Sequence, residues 1–159
     1  MTSFEHWLYQ LSHLFFMPVM FLILLALIYA FISLGSLLTE AWQRKSNKYQ
    51  SVLLGHFQQH GGKPDDLELW IMKRLEWLRI TSRNTPMLGL IATMIPMGPA
   101  LLALTRQDTQ AVGENMIVAF SSVIIALIGS SLAYLVLTIR KRWLLEELRQ
   151  IEEKQEAQV

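Results

Sequence analysis

Residues 85–142 read TPMLGLIATMIPMGPALLALTRQDTQAVGENMIVAFSSVIIALIGSSLAYLVLTIRKR. Two runs inside this segment, 86–104 and 116–139, contain no charged residue. At a rise of about 1.5 Å per residue, each run is long enough to cross a hydrocarbon core of about 30 Å. The segment therefore predicts two transmembrane helices that are joined by a loop over residues 105–115.

The hairpin opens with a helix-start signal. A threonine such as Thr85 is favoured at the N-cap, where its hydroxyl accepts a hydrogen bond from an unpaired backbone N–H. Proline is favoured at the next position, because it has no N–H to leave unpaired. The sequence Asn84-Thr85-Pro86 therefore predicts that a helix begins here. Asp108 or Thr109 is placed to cap the last helix in the same way.

A third charge-free run, 15–38, precedes the hairpin and is also longer than a membrane span requires. It is rich in Leu, Ile and Phe and poor in small residues, so we predict that this helix faces lipid. The three runs leave no segment of the size that a catalytic domain usually has. The sequence therefore predicts three transmembrane helices and little else in the membrane.

Basic residues are unevenly distributed around the three runs. Of the 14 Lys and Arg, eight lie between the first two runs, five follow the third, and Arg106 lies in the hairpin loop. By the positive-inside rule, the N-terminus and the hairpin loop face outward, and the C-terminus is cytoplasmic. We therefore predict an all-α membrane protein with cytoplasmic helical extensions. Its segments are an external lead-in (1–14), transmembrane helix 1 (15–38), a cytoplasmic helical segment (39–84), transmembrane helix 2 (85–104), an external loop (105–115), transmembrane helix 3 (116–139) and a cytoplasmic tail (140–159).

Hydrophobic residues also recur at helical spacing outside the spans. In the lead-in, Trp7, Leu11 and Leu14 predict a short amphipathic helix on the outer surface. The helical pattern after the first span is predicted to continue to Gly61-Gly62, where it ends. Two apolar stripes predict that the central segment and the tail pack together. The stripes are Leu67, Trp70, Ile71, Leu75 and Leu78, and Leu144, Leu148 and Ile151.

The composition argues against several classes of protein. The absence of cysteine excludes disulfides, thiol catalysis and cysteine metal sites. His6 and His13 without a third ligand make a weak metal site, so we favour a purely structural lead-in and predict no metal. No cluster of nucleophile, base and ligands is present, so we expect neither an enzyme nor a cofactor. A net charge of +1 gives no indication of nucleic-acid binding.

Small residues recur on one face of each helix of the hairpin. In lipid, such faces allow helices to approach closely. Packing within one subunit, a pore and a partner helix would all use such a face, so the pattern does not choose among them. The small residues are Gly89, Ala92 and Thr93 in the second span, and Ala119, Ser122, Ala126, Gly129 or Ser130, and Ala133 in the third.

No Asp, Glu, Lys, Arg or His occurs in any of the three charge-free runs. Proton relays inside membranes normally need an ionisable group. If the chain conducts protons, the titrating group must therefore come from another protein. Pro96 and Pro99 are predicted to bend the second span and to free backbone carbonyls near its outer half.

The hairpin resembles the MotA/TolQ/ExbB family of proton-channel subunits over roughly residues 85–134. Thr85-Pro86-Met87-Leu88-Gly89-Leu90-Ile91-Ala92-Thr93 is similar to the proline, glycine and threonine pattern that begins the family's second span. Ala119-Phe120-Ser121-Ser122 is similar to the start of its small-residue third span, which carries a hydroxyl. The chain departs from the family where Pro96 replaces a usual glycine and where serine replaces a common threonine. Many members also have a much larger cytoplasmic domain.

The resemblance implies a homopentamer around two copies of a single-span partner of the ExbD/TolR/MotB type, whose membrane aspartate exchanges protons. By position, it implies that Thr93 and either Ser121 or Ser122 line the proton path, with the second and third spans around an apolar channel. It also implies a bacterial or archaeal cytoplasmic (inner) membrane and coupling of the proton motive force to movement of the partner. The alternative is an oligomeric membrane scaffold that does not conduct.

Overall fold

The computed structural model describes residues 3–45 and 64–156, and nearly all of them are helical. The three helices are α1 (Ser3–Lys45), α2 (Pro64–Thr105) and α3 (Thr109–Glu156). Each helix is long and apolar enough to cross a membrane. The prediction of an all-α protein with three helices capable of spanning a membrane is therefore confirmed.

Each helix continues beyond the span that the sequence predicts. The lead-in and the first span form one helix of 43 residues, so a separate lead-in helix is wrong. The predicted continuation to Gly61-Gly62 lies outside the described residues. α2 runs without interruption through Pro86, so the prediction that a helix begins at Thr85 is also wrong.

Thr85 is a buried residue inside α2 and does not act as a cap. Its side chain is turned back along the helix, and Oγ1 donates a hydrogen bond of 2.7 Å to the carbonyl of Thr81. The residue is only 2% exposed. A threonine followed by proline suits a helix start only when no helix precedes it, and here the charged segment before it is already helical.

The connection between α2 and α3 is much shorter than the predicted loop over 105–115. It consists of residues 106–108, and Gln107 has a left-handed φ of 59°. The N–H of Gln107 donates to the carbonyl of Leu104 at 3.1 Å, and that of Asp108 donates to Ala103 at 3.0 Å. This is the hydrogen-bond pattern of a Schellman motif, in which glycine usually holds the left-handed position.

Asp108 caps α3. Its Oδ1 accepts a hydrogen bond of 3.1 Å from the N–H of Ala111, which would otherwise be unpaired in the first turn. Of the two residues that the sequence offered for this role, Asp108 and not Thr109 is therefore the cap. α3 begins seven residues before the predicted span at 116–139, so Glu114 and Asn115 belong to the helix.

The helices form a bundle with two distinct ends. We call the end at residues 106–108 the hairpin end, and the opposite end, near Lys45, Pro64 and Glu156, the open end. α2 and α3 are antiparallel partners across the hairpin. α1 packs against both and runs parallel to α3, because Met20 contacts Ser122 and Arg44 contacts Glu147.

Two clusters of buried side chains hold the bundle together. The hairpin-end core consists of Val19, Ile23, Ala92 and Ala126. The larger open-end core joins all three helices and contains both predicted stripes, whose packing is thereby confirmed for the residues with described side chains. The open-end core consists of Ala30, Leu37, Ile71, Leu75, Leu78, Ala133, Val136, Leu144, Leu148 and Ile151.

An ion-pair cluster joins α1 to α3 near the open end. Arg44 pairs with Glu147, and Arg140 pairs with Glu40 at 3.4 Å. The guanidinium of Arg44 also lies over the ring of Trp143, 4.5 Å from its centroid. All four charged side chains are at most 24% exposed, so water screens these pairs less than it would on an open surface. The cluster therefore fixes α1 against the tail of α3.

Candidate functional site

The two helices of the hairpin make backbone-level contact at Gly89. A Cβ atom at this position would lie 2.7 Å from the Cβ of Ala126, which is closer than real Cβ atoms approach. Ala126 itself is fully buried. Glycine is therefore required here because the opposite helix occupies the space that a side chain would take.

The small-residue faces predicted from the sequence are covered within one subunit. All six residues that we predicted for helix packing are buried. Gly129 also lies against another helix, since a Cβ added there would be 3.4 Å from the Cα of Leu27 on α1. The small face of α3 is thus occupied by α1 and α2 of the same chain. The six residues are Gly89, Ala92, Ala119, Ala126, Ser130 and Ala133.

Ser130 has a second role that its size alone does not reveal. Pro86 has no N–H, so it leaves the carbonyl of Ser82 without its helical donor. The hydroxyl of Ser130 donates to this carbonyl at 2.8 Å, and the bond is buried. In lipid an unpaired carbonyl is costly, and hydroxyls of neighbouring helices are a known remedy. Ser130 therefore allows α2 to pass through Pro86.

Thr93 lies one turn beyond Gly89 towards the hairpin end. Its Oγ1 donates a hydrogen bond of 2.7 Å to the carbonyl of Leu90 in its own helix. The side chain is partly exposed, so the oxygen can still accept a hydrogen bond from outside the subunit. Thr93 is thus available at the surface of the hairpin.

Ser121 and Ser122 face in different directions. Ser122 is fully buried, and its Oγ donates to the carbonyl of Val118 at 2.6 Å and lies 3.1 Å from the sulfur of Met20. Ser121 is exposed, and its hydroxyl has no hydrogen bond within the described part of the chain. Ser122 therefore belongs to the packing of α1 on α3, whereas Ser121 is free for a neighbour.

Thr93 and the two serines lie at one depth in the bundle. The contact of Gly89 with Ala126 fixes the register of the antiparallel helices. Thr93 is four residues onward in α2 and Ser122 is four residues back in α3, so both lie about 6 Å nearer the hairpin end. The structure therefore places the three predicted hydroxyls at the same depth. Of these residues, only Thr93 and Ser121 are at least partly exposed on the surface of the subunit.

The predicted bends at Pro96 and Pro99 do not interrupt α2, which stays helical through both residues. Pro96 is buried and Pro99 is half-buried. Any change of direction at these prolines stays a prediction.

Glu114 is a polar residue that the charge-free runs left out of consideration. Because α3 begins at Thr109, Glu114 projects from its second turn, where it is exposed and accepts a hydrogen bond of 3.0 Å from the side chain of Gln110. It is seven residues from Ser121 and therefore lies on the same side of the helix. The cap that the sequence offered at Asp108 or Thr109, and not the charge-free run, is the signal that places Glu114 in the helix.

The model of the MotA/TolQ/ExbB proton channel family matches residues 65–155, which are more than half of the chain. The chain belongs to this family. The match takes in nearly all of α2 and α3 and extends well beyond residues 85–134. No curated protein and no solved structure matches the chain.

Membership of the MotA/TolQ/ExbB family and three helices long enough to span a membrane identify a multi-pass membrane protein. The family also indicates a function of the proton-channel type. The matched region contains Thr93, Ser121, Ser122 and the Gly89 contact, whereas α1 lies outside it. The hairpin is therefore the part of the chain on which a functional hypothesis should rest.

Proposed function

We propose that the chain is a subunit of a pentameric proton channel of the stator type, which couples the proton motive force to movement of a single-span partner. The partner is of the ExbD/TolR/MotB type and carries a membrane aspartate. The observation that carries the proposal is the family match over α2 and α3, the helices that present Thr93 and Ser121 at one depth. The subunit itself performs no enzymatic reaction and needs no cofactor.

The proposed assembly uses the helix faces that are not covered within one subunit. The small-residue faces of α2 and α3 are covered within the subunit. The bulky apolar faces that remain exposed therefore contact neighbouring subunits, the partner helix or lipid. Met87, Leu90 and Met94 on α2 are each more than 60% exposed. In the proposed ring they face the partner helix or a neighbouring subunit, while the outer side of α1 faces lipid. The N-terminus and the hairpin end face outward, and the membrane is the bacterial or archaeal cytoplasmic (inner) membrane.

The proposed mechanism uses the hydroxyls to handle a carboxyl group that enters from the partner. In an apolar channel, burial raises the pKa of such a carboxyl and favours its neutral form. The Thr93 hydroxyl can rotate, so that it accepts from the protonated acid or donates to the carboxylate. The hydroxyl thereby lowers the free energy of the ionised carboxylate while its proton is transferred. Ser121 offers the same chemistry from α3.

The test is proton flux into liposomes that contain the ring with its co-purified partner. Thr93→Val keeps the shape and removes the hydroxyl, so it should reduce flux about tenfold or more while the ring still assembles. Thr93→Ser should be nearly normal. Thr105→Val is a matched control, since Thr105 also donates a 2.7 Å bond to a carbonyl three residues earlier in α2.

Three results would contradict the proposal. Full flux from the ring without its partner would show that no external carboxylate is needed. Unchanged flux in Thr93→Val would show that the hydroxyl is not on the path. A complex that assembles normally but carries no flux with its partner would favour the non-conducting scaffold instead.

The two serines are distinguished in the same assay. Ser121→Ala should lower flux and leave stability unchanged, because Ser121 touches no other helix through its hydroxyl in the described chain. Ser122→Ala should lower stability, because its hydroxyl lies against Met20 of α1. The opposite pattern would place Ser122 on the path and require α1 to move away from it.

A further inference from the structure

Contacts along the bundle show which residues lie at the same depth. Met20 meets Ser122, Leu27 meets Gly129, and Ser36 meets Arg140, so α1 and α3 keep a nearly constant offset in number. Their charge-free runs, 15–38 and 116–139, are therefore level with each other. Both define the same slab of membrane.

The charge-free run of α2 is not level with the other two. Ser82 is hydrogen-bonded to Ser130, and Gly89 contacts Ala126, so residue 86 lies near the middle of the run in α3. The charged part of α2 that precedes Pro86 consequently runs beside the apolar half of α1 and α3 nearest the open end. Arg83 follows Ser82 directly and lies at this depth.

The position of Arg83 is well inside the apolar slab. Ser130 is ten residues from Arg140, the first charge after the run, which corresponds to about 15 Å along the helix. Snorkelling of a long side chain shortens such a distance but does not remove it. Charged residues at this depth face a bundle interior, a countercharge or a water-filled cavity, and not acyl chains.

Within the described part of the subunit, Arg83 has neither a countercharge nor a packed surface to face. Arg83 is exposed, and it has no ion pair with any carboxylate in residues 3–45 and 64–156. Its neighbours Ser82 and Thr85 are buried on the packed side of α2, whereas Met87, one turn further on, is 65% exposed. The guanidinium therefore points away from α1 and α3.

We propose that the exposed side of α2 that carries Arg83 borders a water-filled, positively charged cavity. This cavity enters the ring from the open end and reaches the depth of Ser130. Such a cavity would hold water and attract small anions. The inference rests on the ring-shaped assembly proposed above, but not on conduction. If protons do pass, the part of the path from the open end to Arg83 would lie in bulk water, and Thr93 is ten residues, or about 15 Å, further along α2.

The absence of cysteine from the chain makes a direct test possible without background labelling. Arg83→Cys and Ile28→Cys are prepared in lipid nanodiscs and treated with a charged methanethiosulfonate reagent. Ile28 lies at the same depth on α1 and is 47% exposed in the subunit. Arg83→Cys should react about tenfold faster or more, because the reacting thiolate forms only in a hydrated environment. Equally slow labelling of both variants would overturn the proposal.

A second measurement uses the unmodified protein, in case Arg83→Cys fails to assemble. Water-soluble hydroxyphenylglyoxal modifies accessible arginines, and mass spectrometry locates the modification. Arg106, exposed in the hairpin turn, is the reference. Comparable modification of Arg83 and Arg106 is expected, and a protected Arg83 beside a modified Arg106 would overturn the cavity. Labelling of Arg83 in a ring without proton flux would support the cavity and overturn conduction.

Discussion

The two cores of the bundle are built from different residues. The hairpin-end core joins α2 to α3 through Ala92 and Ala126 beside Gly89, where the backbones almost touch. The open-end core is built mostly from large aliphatic side chains such as Ile71, Leu75 and Leu144. In lipid, burying apolar surface brings little gain, so helices are held by close contact. Beyond the charge-free runs, where Ile71, Leu144 and Leu148 pack, removing such surface from water is the main stabilising force. The same pair of helices therefore changes its packing along its length.

The largest effect is expected in the open-end core. Ile71 is only 3% exposed and packs beyond the charge-free runs, so Ile71→Ala should destabilise the protein by about 2–5 kcal/mol through lost burial and the cavity left behind. Leu69→Ala, at a position that is 55% exposed on the same helix, should change stability by no more than about 0.5 kcal/mol. The measurement is the free energy of unfolding in mild detergent. Equal effects of the two substitutions would refute the assignment of this core.

The hairpin-end contact should respond to the opposite change, an added methyl group. Gly89→Ala forces the helices apart and should lower the free energy of unfolding by about 1–3 kcal/mol. Gly35→Ala is the matched control, because a Cβ at Gly35 meets nothing within 4 Å. Thermal unfolding in nanodiscs compares the two variants. If Gly89→Ala is as stable as Gly35→Ala, close backbone contact is not what joins α2 to α3.

Ser130→Ala should lower the free energy of unfolding by about 1–3 kcal/mol, because it leaves the buried carbonyl of Ser82 without a hydrogen-bond donor. Pro86→Ala returns an N–H to that carbonyl, so in the Pro86→Ala background the cost of Ser130→Ala should nearly vanish. Ser131→Ala, at the exposed neighbouring position, should be close to neutral in both backgrounds. If Ser130→Ala destabilises the protein equally with and without Pro86, Ser130 does not compensate for the proline.

A spectroscopic measurement can test the same bond without relying on stability. Ser82-Arg83 is the one Ser-Arg pair in the sequence. Carbonyl-¹³C serine combined with ¹⁵N arginine therefore gives a single NMR correlation, which reports the carbonyl of Ser82. Its carbon shift should move in Ser130→Ala and stay unchanged in Ser131→Ala.

The smallest expected effect lies at the hairpin turn and is a gain. Gln107 holds a left-handed φ of 59°, which costs a residue with a Cβ about 1 kcal/mol relative to glycine. Gln107→Gly should therefore raise the free energy of unfolding by up to about 1 kcal/mol, whereas Gln107→Ala should not, since it keeps the Cβ. A stabilising Gln107→Ala would show that the side chain, and not the backbone, is unfavourable at this turn.

Local patterns in the sequence predicted the helices and much of their packing. Charge-free runs gave the three helices, and the periodic stripes ending at Leu78 and Ile151 gave the open-end core. The pattern of small residues predicted the closely packed faces but not which helices cover them. Asp108 was one of two caps that turn chemistry allowed.

What the sequence could not reveal depends on residues far apart in the chain. The helix through Pro86 is possible because Ser130, 48 residues away, supplies the missing hydrogen bond. The different environments of Ser121 and Ser122 depend on where α1 packs, and no rule of spacing along α3 states that. The depth of Arg83 follows only from the register between helices, which the contacts at Gly89 and Ser82 establish.

The continuity of α2 has a mechanical consequence. Its 42 residues form one rod from Pro64 in the open-end region to Thr105 at the turn. A break at residues 84–86 would have made a hinge there, and the two parts could have turned independently. Because Ser130 supplies the hydrogen bond that Pro86 removes, α2 continues without a break from the open-end core to Thr93. We therefore expect a rotation of α2 at the open end to be transmitted to the depth of Thr93.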